Sequence, residues 1–292
     1  MYKSVESWKS AMKRYSKNTG IDVQDIQQRF ILEEFAKKIK DSTVKDDFIL
    51  KGGFVVSQLL GYDTRTTRDL DMTYHKCTVY NKENLIQALN EIMNSKTNTL
   101  FNYSIESIKE SQLNDPYSGY MVTIIAEYNK TKLKMKLDVS NNTLIYPKAI
   151  SMNFTSMFTN ESFALKTYPI ENIIAEKYET TLDRGEYNTR MRDLLDIYFI
   201  FKENKYLINN AVLAKTIYEV SKDRETLYNL EEYDEIIKEL TYSKVFNENF
   251  YKYLSKQYPN LDITLNDVFD TFDEIYNIYT RETNKYIEDK VK

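Results

Sequence analysis

The chain has 292 residues, with 40 Lys and Arg against 44 Asp and Glu, one His and one Cys, and 42% apolar and 14% aromatic side chains. That apolar share fills two domains or one elaborated one and excludes a disordered or low-complexity chain. The lone Cys77 excludes internal disulfides and cysteine-rich metal clusters, and the lone His75 excludes multi-histidine sites. Any catalysis therefore falls to carboxylates, Lys, Arg, Tyr, backbone amides and a hard cation.

Residues 1 to 17 carry Lys3, Lys9, Lys13, Arg14 and Lys17 around Trp8 without the continuous apolar run of a secretory signal. Basic residues beside an aromatic are one form of nucleic-acid-binding arm, and a solvated helical face is the plainer reading. Val23, Ile26, Phe30, Ile31, Phe35 and Ile39 then recur at helical spacing behind Asp22, an N-cap. A short apolar run, Phe48 to Leu50, ends in Lys51-Gly52-Gly53, and Phe54 to Leu60 reads as a short helix closed by Gly61.

From Arg68 the period becomes two. Leu70, Met72 and Tyr74 point one way, Asp69, Asp71 and Thr73 the other. Residues 82 to 94 predict a helix, residues 102 to 108 and 120 to 127 two strands. Leu133, Met135, Leu137 and Val139 alternate with Lys134, Lys136, Asp138 and Ser140 in a half-buried strand, and residues 163 to 166 suggest one more. After Pro169 the period is helical: 170 to 182, 190 to 202, 211 to 221, 231 to 240 and 264 to about 286. The expectation is an α+β chain, an α/β domain over residues 1–168 followed by a helical domain over 169–292. No run of about 18 apolar residues is present to cross a membrane, and a cytoplasmic protein is expected. Residues 223 to 292 hold 16 acids against 9 bases, which leaves residues 1 to 222 at plus three and directs an anionic partner there.

The chemistry concentrates in one constellation: Lys51-Gly52-Gly53, a helix, Arg65, Arg68, then Asp69-Leu70-Asp71 on a strand. Two residues apart on a strand, Asp69 and Asp71 share a face at about 7 Å, and two converging carboxylates repel unless a cation lies between them. Without Cβ atoms, Gly52 and Gly53 let a phosphate approach the backbone at a helix N-terminus. Asp138 is a candidate third carboxylate, as metal ligand or as base for an attacking hydroxyl. Each piece alone has a blander origin, since strands expose acids to solvent and glycine pairs make turns. Their order is what the blander origins leave unexplained. His75 and Cys77, beyond the acidic strand, have no nucleophile to pair with and read as packing or surface.

Gly52-Gly53, Arg68-Asp69-Leu70-Asp71, Lys136-Leu137-Asp138, Ala175-Glu176-Lys177 and Arg192-Asp193-Leu194-Leu195-Asp196-Ile197-Tyr198 together resemble the AbiEii/AbiGii family over roughly residues 45 to 200. These are nucleotidyltransferase-like toxins of abortive-infection and toxin–antitoxin systems, related in fold to the polymerase-β superfamily. The resemblance implies transfer of a nucleotide from a nucleoside triphosphate, with Mg²⁺ or Mn²⁺, to an RNA or protein acceptor, which for relatives is often tRNA. It also implies a cognate antitoxin that need not bind the toxin. It casts Asp69, Asp71 and Asp138 as metal ligands, and Asp69, Asp71, Asp138, Lys177 and Asp193 as catalytic. Gly52, Gly53, Arg68, Lys177, Arg192 and Asp196 are cast as nucleotide contacts. The superfamily places Ser after the first Gly of its loop where this chain has Gly53 and Phe54, so backbone amides must carry that contact.

By spacing, Lys177 lies off the buried stripe of its helix, at a position whose loss leaves stability nearly unchanged, and Arg192 and Asp196 are i,i+4 neighbours suited to a surface ion pair. Two other functions remain open: a small-molecule, antibiotic-type nucleotidyltransferase, and a non-catalytic module that binds nucleic acid. An RNA acceptor needs a positive surface beside the acids and a small polyol an acidic pocket.

Overall fold

Alternation of Leu133, Met135, Leu137 and Val139 with polar residues produces one strand of a mixed sheet that organises the first half of the protein. A computed structural model describes residues 2, 4–62, 64–75, 81–111, 119–141 and 143–291, with 286–291 by their backbone alone; Cys77 lies outside the described residues. The chain runs α1 (Val5–Thr19), α2 (Val23–Lys40), β1 (Phe48–Lys51), α3 (Gly52–Leu60), β2 (Asp69–Tyr74), α4 (Lys82–Met93), β3 (Asn102–Ser111), β4 (Gly119–Tyr128), β5 (Thr131–Ser140), β6 (Ile150–Thr155) and β7 (Ser162–Thr167). Helices follow: α5 (Ile170–Arg184), α6 (Met191–Asn204), α7 (Asn210–Asp223), α8 (Tyr228–Glu231), α9 (Tyr233–Tyr242), α10 (Lys244–Gln257) and α11 (Leu265–Val291). No described helix is long and apolar enough to cross a membrane.

The strand order is β3-β4-β5-β2-β1-β7-β6. β2 pairs parallel with β5 and antiparallel with β1, while β3, β4 and β5 form an antiparallel run. One face is apolar: Leu70, Met72, Val122, Ile124, Leu137 and Val139 are fully buried, with α2 packing on β5 and α4 on β3. Each such side chain contributes roughly 1.5 to 3 kcal/mol by leaving water. The opposite face carries Asp69, Asp71 and Asp138. Asp22 caps α2 by accepting from the Gln24 amide, as its sequence position predicts.

α1 begins with a capping box in which Ser4 and Ser7 bond each other's backbone. Trp8, the aromatic of the basic N-terminal segment, is 0% exposed, edge-on to Phe30 and Phe101. It is a core residue, and no base can stack on it. Lys9, Lys13 and Lys17 are on the solvated side of this amphipathic helix.

Two compact units divide the chain. One holds Met1–Thr143 and Ala149–Tyr168, the other Leu144–Lys148 and Pro169–Lys292. In the second unit α5 packs on α6 and α7, and α11 lies against α6 and α7. Its centre is aromatic: the Tyr178 and Tyr233 rings stack at 6.2 Å, Tyr233 and Tyr276 at 4.0 Å, and the Tyr233 hydroxyl donates to Asp273 at 2.6 Å. The short segment Leu144–Lys148 joins this unit although the strands on either side belong to the other. The Tyr146 amide donates to Asn172 Oδ1 at 2.7 Å in the first turn of α5.

Candidate active site

β1 is three buried apolar residues and Lys51, and it passes without a loop into α3. The junction demands glycine. Gly52 has φ +64°, and a Cβ there would lie 1.9 Å from Asp71 Oδ2, 2.7 Å from its Cγ and 2.9 Å from its Cβ. Gly53 is crowded from the other side, since a Cβ would meet Thr67 Oγ1 at 2.7 Å and Arg65 Nη2 at 2.9 Å. The Gly53 amide donates to Asp71 Oδ2 at 3.3 Å. The glycine pair thus brings the first amides of α3 against an acid of the neighbouring strand.

Register brings the acids together. Asp71 is the Cα partner of Asp138 across the parallel β2–β5 ladder and of Lys51 across β1–β2, and Asp69 is the partner of Lys136. Asp69 is exposed, whereas Asp71 and Asp138 are half-buried. Burial, with the Asp138 carboxylate second, pushes the Asp71 carboxyl up to about 6 against the opposing pull of Lys51 and the Gly53 amide. Beneath the acids, on the same face, is a layer of hydroxyls. Thr73 Oγ1 lies 2.7 Å from the Tyr168 hydroxyl and 3.1 Å from those of Ser140 and Thr143. Lys51 Nζ stands 5.3 Å from the Tyr168 ring centroid. Thr73 and Ser140 each follow a site acid by two residues, so this layer locks β2 and β5 at the height where Asp71 faces Asp138.

Among the described residues no three Asp, Glu, His or Cys side chains converge closely enough to hold an ion unaided. Two adjacent carboxylates with an exposed third still match Mg²⁺, a hard ion that takes one or two protein carboxylates and completes its shell with water and phosphate oxygens. At Gly52 the missing Cβ makes room for the Asp71 carboxylate itself, which thereby stands beside Asp138, and that pair of hard oxygen donors fits such an ion.

The other expected contacts have their own partners. Arg68 is exposed, its Nε donating to Asp25 of α2 at 2.5 Å, while its carbonyl accepts from Gln28 at 2.9 Å. This anchors the start of β2 to α2. His75 is exposed and its amide bonds the Asp47 carbonyl.

In the helical unit Lys177, Asp193 and Asp196 form one cluster. Lys177 Nζ contacts Asp193 Oδ1 and lies 2.9 Å from Asp196 Oδ2, with side chains only 12%, 13% and 1% exposed. The expectation of a solvent-facing lysine is therefore wrong. The turn to α6 folds Asp193 and Asp196 over its helix, a non-local contact that spacing within α5 does not reveal. The expected Arg192–Asp196 surface pair is replaced in the same way: Asp196 meets Lys177, and exposed Arg192 donates to Tyr253 at 3.1 Å.

The Thr73, Ser140, Thr143 and Tyr168 hydroxyls are the site features with no role in the sequence expectation, which included Lys51 in its constellation without giving it a task. Their only signal there is the two-residue step from Asp71 to Thr73 and from Asp138 to Ser140.

The JHP933 protein of Helicobacter pylori aligns over 93% of this chain and 98% of its own at 18% identity, TM-score 0.50, a likeness of fold. An antigenic nucleotidyltransferase-like protein from Paracoccidioides brasiliensis aligns over 62% and 82% at 17% identity, TM-score 0.36. Among curated proteins there is no match. The profile described as "Nucleotidyl transferase AbiEii toxin, Type IV TA system" matches residues 35–277, so the chain belongs to the AbiEii family of nucleotidyl transferase toxins of type IV toxin–antitoxin systems.

Proposed function

We propose that this toxin moves a nucleotide from a nucleoside triphosphate to a hydroxyl of RNA, tRNA being the acceptor, in the bacterial cytoplasm and with Mg²⁺ or Mn²⁺. The observation that carries the reading is the Asp71–Asp138 pair, register partners on adjacent strands beside the positive-φ Gly52 at the mouth of α3. Asp71 and Asp138, with exposed Asp69, would hold the metal together with water and phosphate oxygens, and it would supply Lewis-acid charge there.

The chain's own groups do the rest. The positive dipole end of α3, whose Gly53 amide stays on Asp71, receives the triphosphate, and Lys51 adds charge on that flank. The acceptor oxygen bonds to the α-phosphorus as the bond to the departing pyrophosphate breaks, and Asp138 takes the hydroxyl proton. Gly53 and the hydroxyl layer keep Asp71 in register throughout. The family resemblance alone assigns Lys177 and Asp193 to the same reaction and Arg192 and Asp196 to nucleotide contact; within the helical unit Asp193 and Asp196 hold the Lys177 ammonium fixed. Its cognate antitoxin counters the toxin's effect and need not bind it.

The test is incubation of the protein with each labelled nucleoside triphosphate and total RNA, with Mg²⁺ or Mn²⁺. Label on an RNA band is expected, lost in Asp69→Asn and Asp71→Asn variants that still melt near the parent temperature. No label with any nucleotide would favour a non-catalytic binding module. Label on a small polyol alone would favour the antibiotic-type enzyme.

A further inference from the structure

The acid-bearing face of the sheet continues past Asp138 onto β4 and β3, and register fixes what stands there. One row across the strands reads Lys51, Asp71, Asp138, Met121, Lys109, and the next reads Asp69, Lys136, Thr123, Ser107. β5 presents three exposed lysines on this face, 132, 134 and 136. Two have acidic partners: Lys134 meets Glu106 at 2.6 Å and Lys132 meets Glu127 at 3.3 Å. Lys136, the one nearest the acids, has no side-chain hydrogen bond or ion pair among the described residues, and neither has Lys109.

A solvated strand face laced with ion pairs explains Lys132 and Lys134. It does not explain an unpaired ammonium one register step from Asp69 and two residues from Asp138. The two flanks of the acids are unequal. The β1 side holds the glycine junction and α3, the place of the triphosphate, so an acceptor must approach over β5, β4 and β3. Lys136 stands about 7 Å from Asp138 along the strand. In a nucleic acid the phosphate of the terminal nucleotide stands one ribose away from its 3′ hydroxyl, a separation of that order. A polyol or a protein hydroxyl brings no such phosphate.

Resting on the nucleotidyl-transfer reading above, we propose that Lys136, supported by Lys109 across β4, binds the phosphate of the acceptor's terminal nucleotide. The β3–β5 face is then the acceptor side of the site, and the acceptor is a nucleic acid. The contact is electrostatic and blind to sequence, so it places the hydroxyl without choosing the RNA.

Fluorescein-labelled total tRNA, titrated with the full chain by anisotropy without nucleotide or metal at about 50 to about 200 mM KCl, tests this directly. Lys136→Met should weaken binding about fivefold or more at low salt and flatten the plot of log affinity against log salt by roughly 0.7 to 0.9, one phosphate contact. Lys136→Arg should restore the slope, and Lys132→Met, at an ion-paired lysine, should not change it. In the transfer assay Lys136→Met should raise KM for tRNA and leave KM for the nucleoside triphosphate as in the parent. A Lys136→Met slope equal to the parent's, in a parent that labels RNA, overturns the inference and spares the reaction. A parent that labels only protein or a polyol overturns the RNA acceptor and the inference together.

Discussion

Gly52→Ala isolates the demand the active site makes on the backbone. An alanine Cβ would lie 1.9 Å from Asp71 Oδ2, where ordinary contact begins near 3.4 Å, so the oxygen must retreat by about 1.5 Å. Turning the carboxylate about its own bond does not suffice, because the Asp71 Cβ would also be only 2.9 Å away. A change of rotamer moves the carboxylate but leaves the Asp71 Cβ in place, so the backbone at the Gly52–Asp71 contact must shift as well, and the bond from the Gly53 amide and the alignment with Asp138 are lost with it. A non-glycine residue at φ +64° adds about 1 to 2 kcal/mol of backbone strain. Gly20→Ala is the matched control, since Gly20 has φ +76° with nothing within 4 Å of its added Cβ. Gly20→Ala should lose about 1 to 2 kcal/mol, or roughly 2 to 8 °C in Tm, for the shared strain, and Gly52→Ala more, because it also displaces Asp71. Gly52→Ala alone should lose nucleotide transfer by about a hundredfold or more, the effect of an ångström-scale misplacement at a reacting centre. Calorimetry and the labelled-nucleotide assay read the two quantities separately. Transfer by Gly52→Ala within about threefold of the parent would refute the placement of Asp71 as essential.

Lys177→Ala leaves the Asp193 and Asp196 carboxylates buried without their ammonium, and should cost about 3 kcal/mol in urea unfolding as well as lowering transfer. A loss below about 0.5 kcal/mol would return that lysine to the surface. Glu34 of α2 is buried, accepting from the Leu100 and Phe101 amides at 2.6 and 3.3 Å, and burial outweighs these bonds to push its carboxyl from 4.5 up to about 7. Because the folded value lies above the unfolded one, its contribution is fully present below about pH 4.5 and is lost as pH rises through 7. Relative to Glu34→Gln the parent should therefore lose up to roughly 3 kcal/mol across that window, and parallel stability profiles would refute this.

The acid strand and β5 are legible in the sequence because period two survives any packing partner: the same alternation that buries Leu137 turns Asp138 to the opposite face of the sheet. Contacts made by register are not legible. Lys132, Lys134 and Lys136 look alike in the sequence, and only the positions of Glu106 and Glu127 on the neighbouring strands separate them. Trp8 is hidden by the bases around it, although Val5, Trp8, Ala11 and Met12 form one buried stripe. β6 escapes because it is an edge strand with one buried side chain, Phe154, among mostly exposed neighbours. α10 also lies outside the expected helices, although Phe246, Phe250 and Leu254 recur every four residues in it.

The route of residues 144 to 148 decides how this protein can be taken apart. The polypeptide leaves the sheet unit after Thr143, contributes five residues to the helical unit, and returns at Ala149 to complete the sheet with β6 and β7. A cut after Tyr168 would not release a finished module. It would strand Leu144–Lys148 without the helix that accepts the Tyr146 amide, and deprive α5 of a segment native to its core unit. Neither half can be gained, lost or exchanged by a single break in its coding sequence. Any recombination that preserves both must carry the stitch between β5 and β6 along with the helices it fastens.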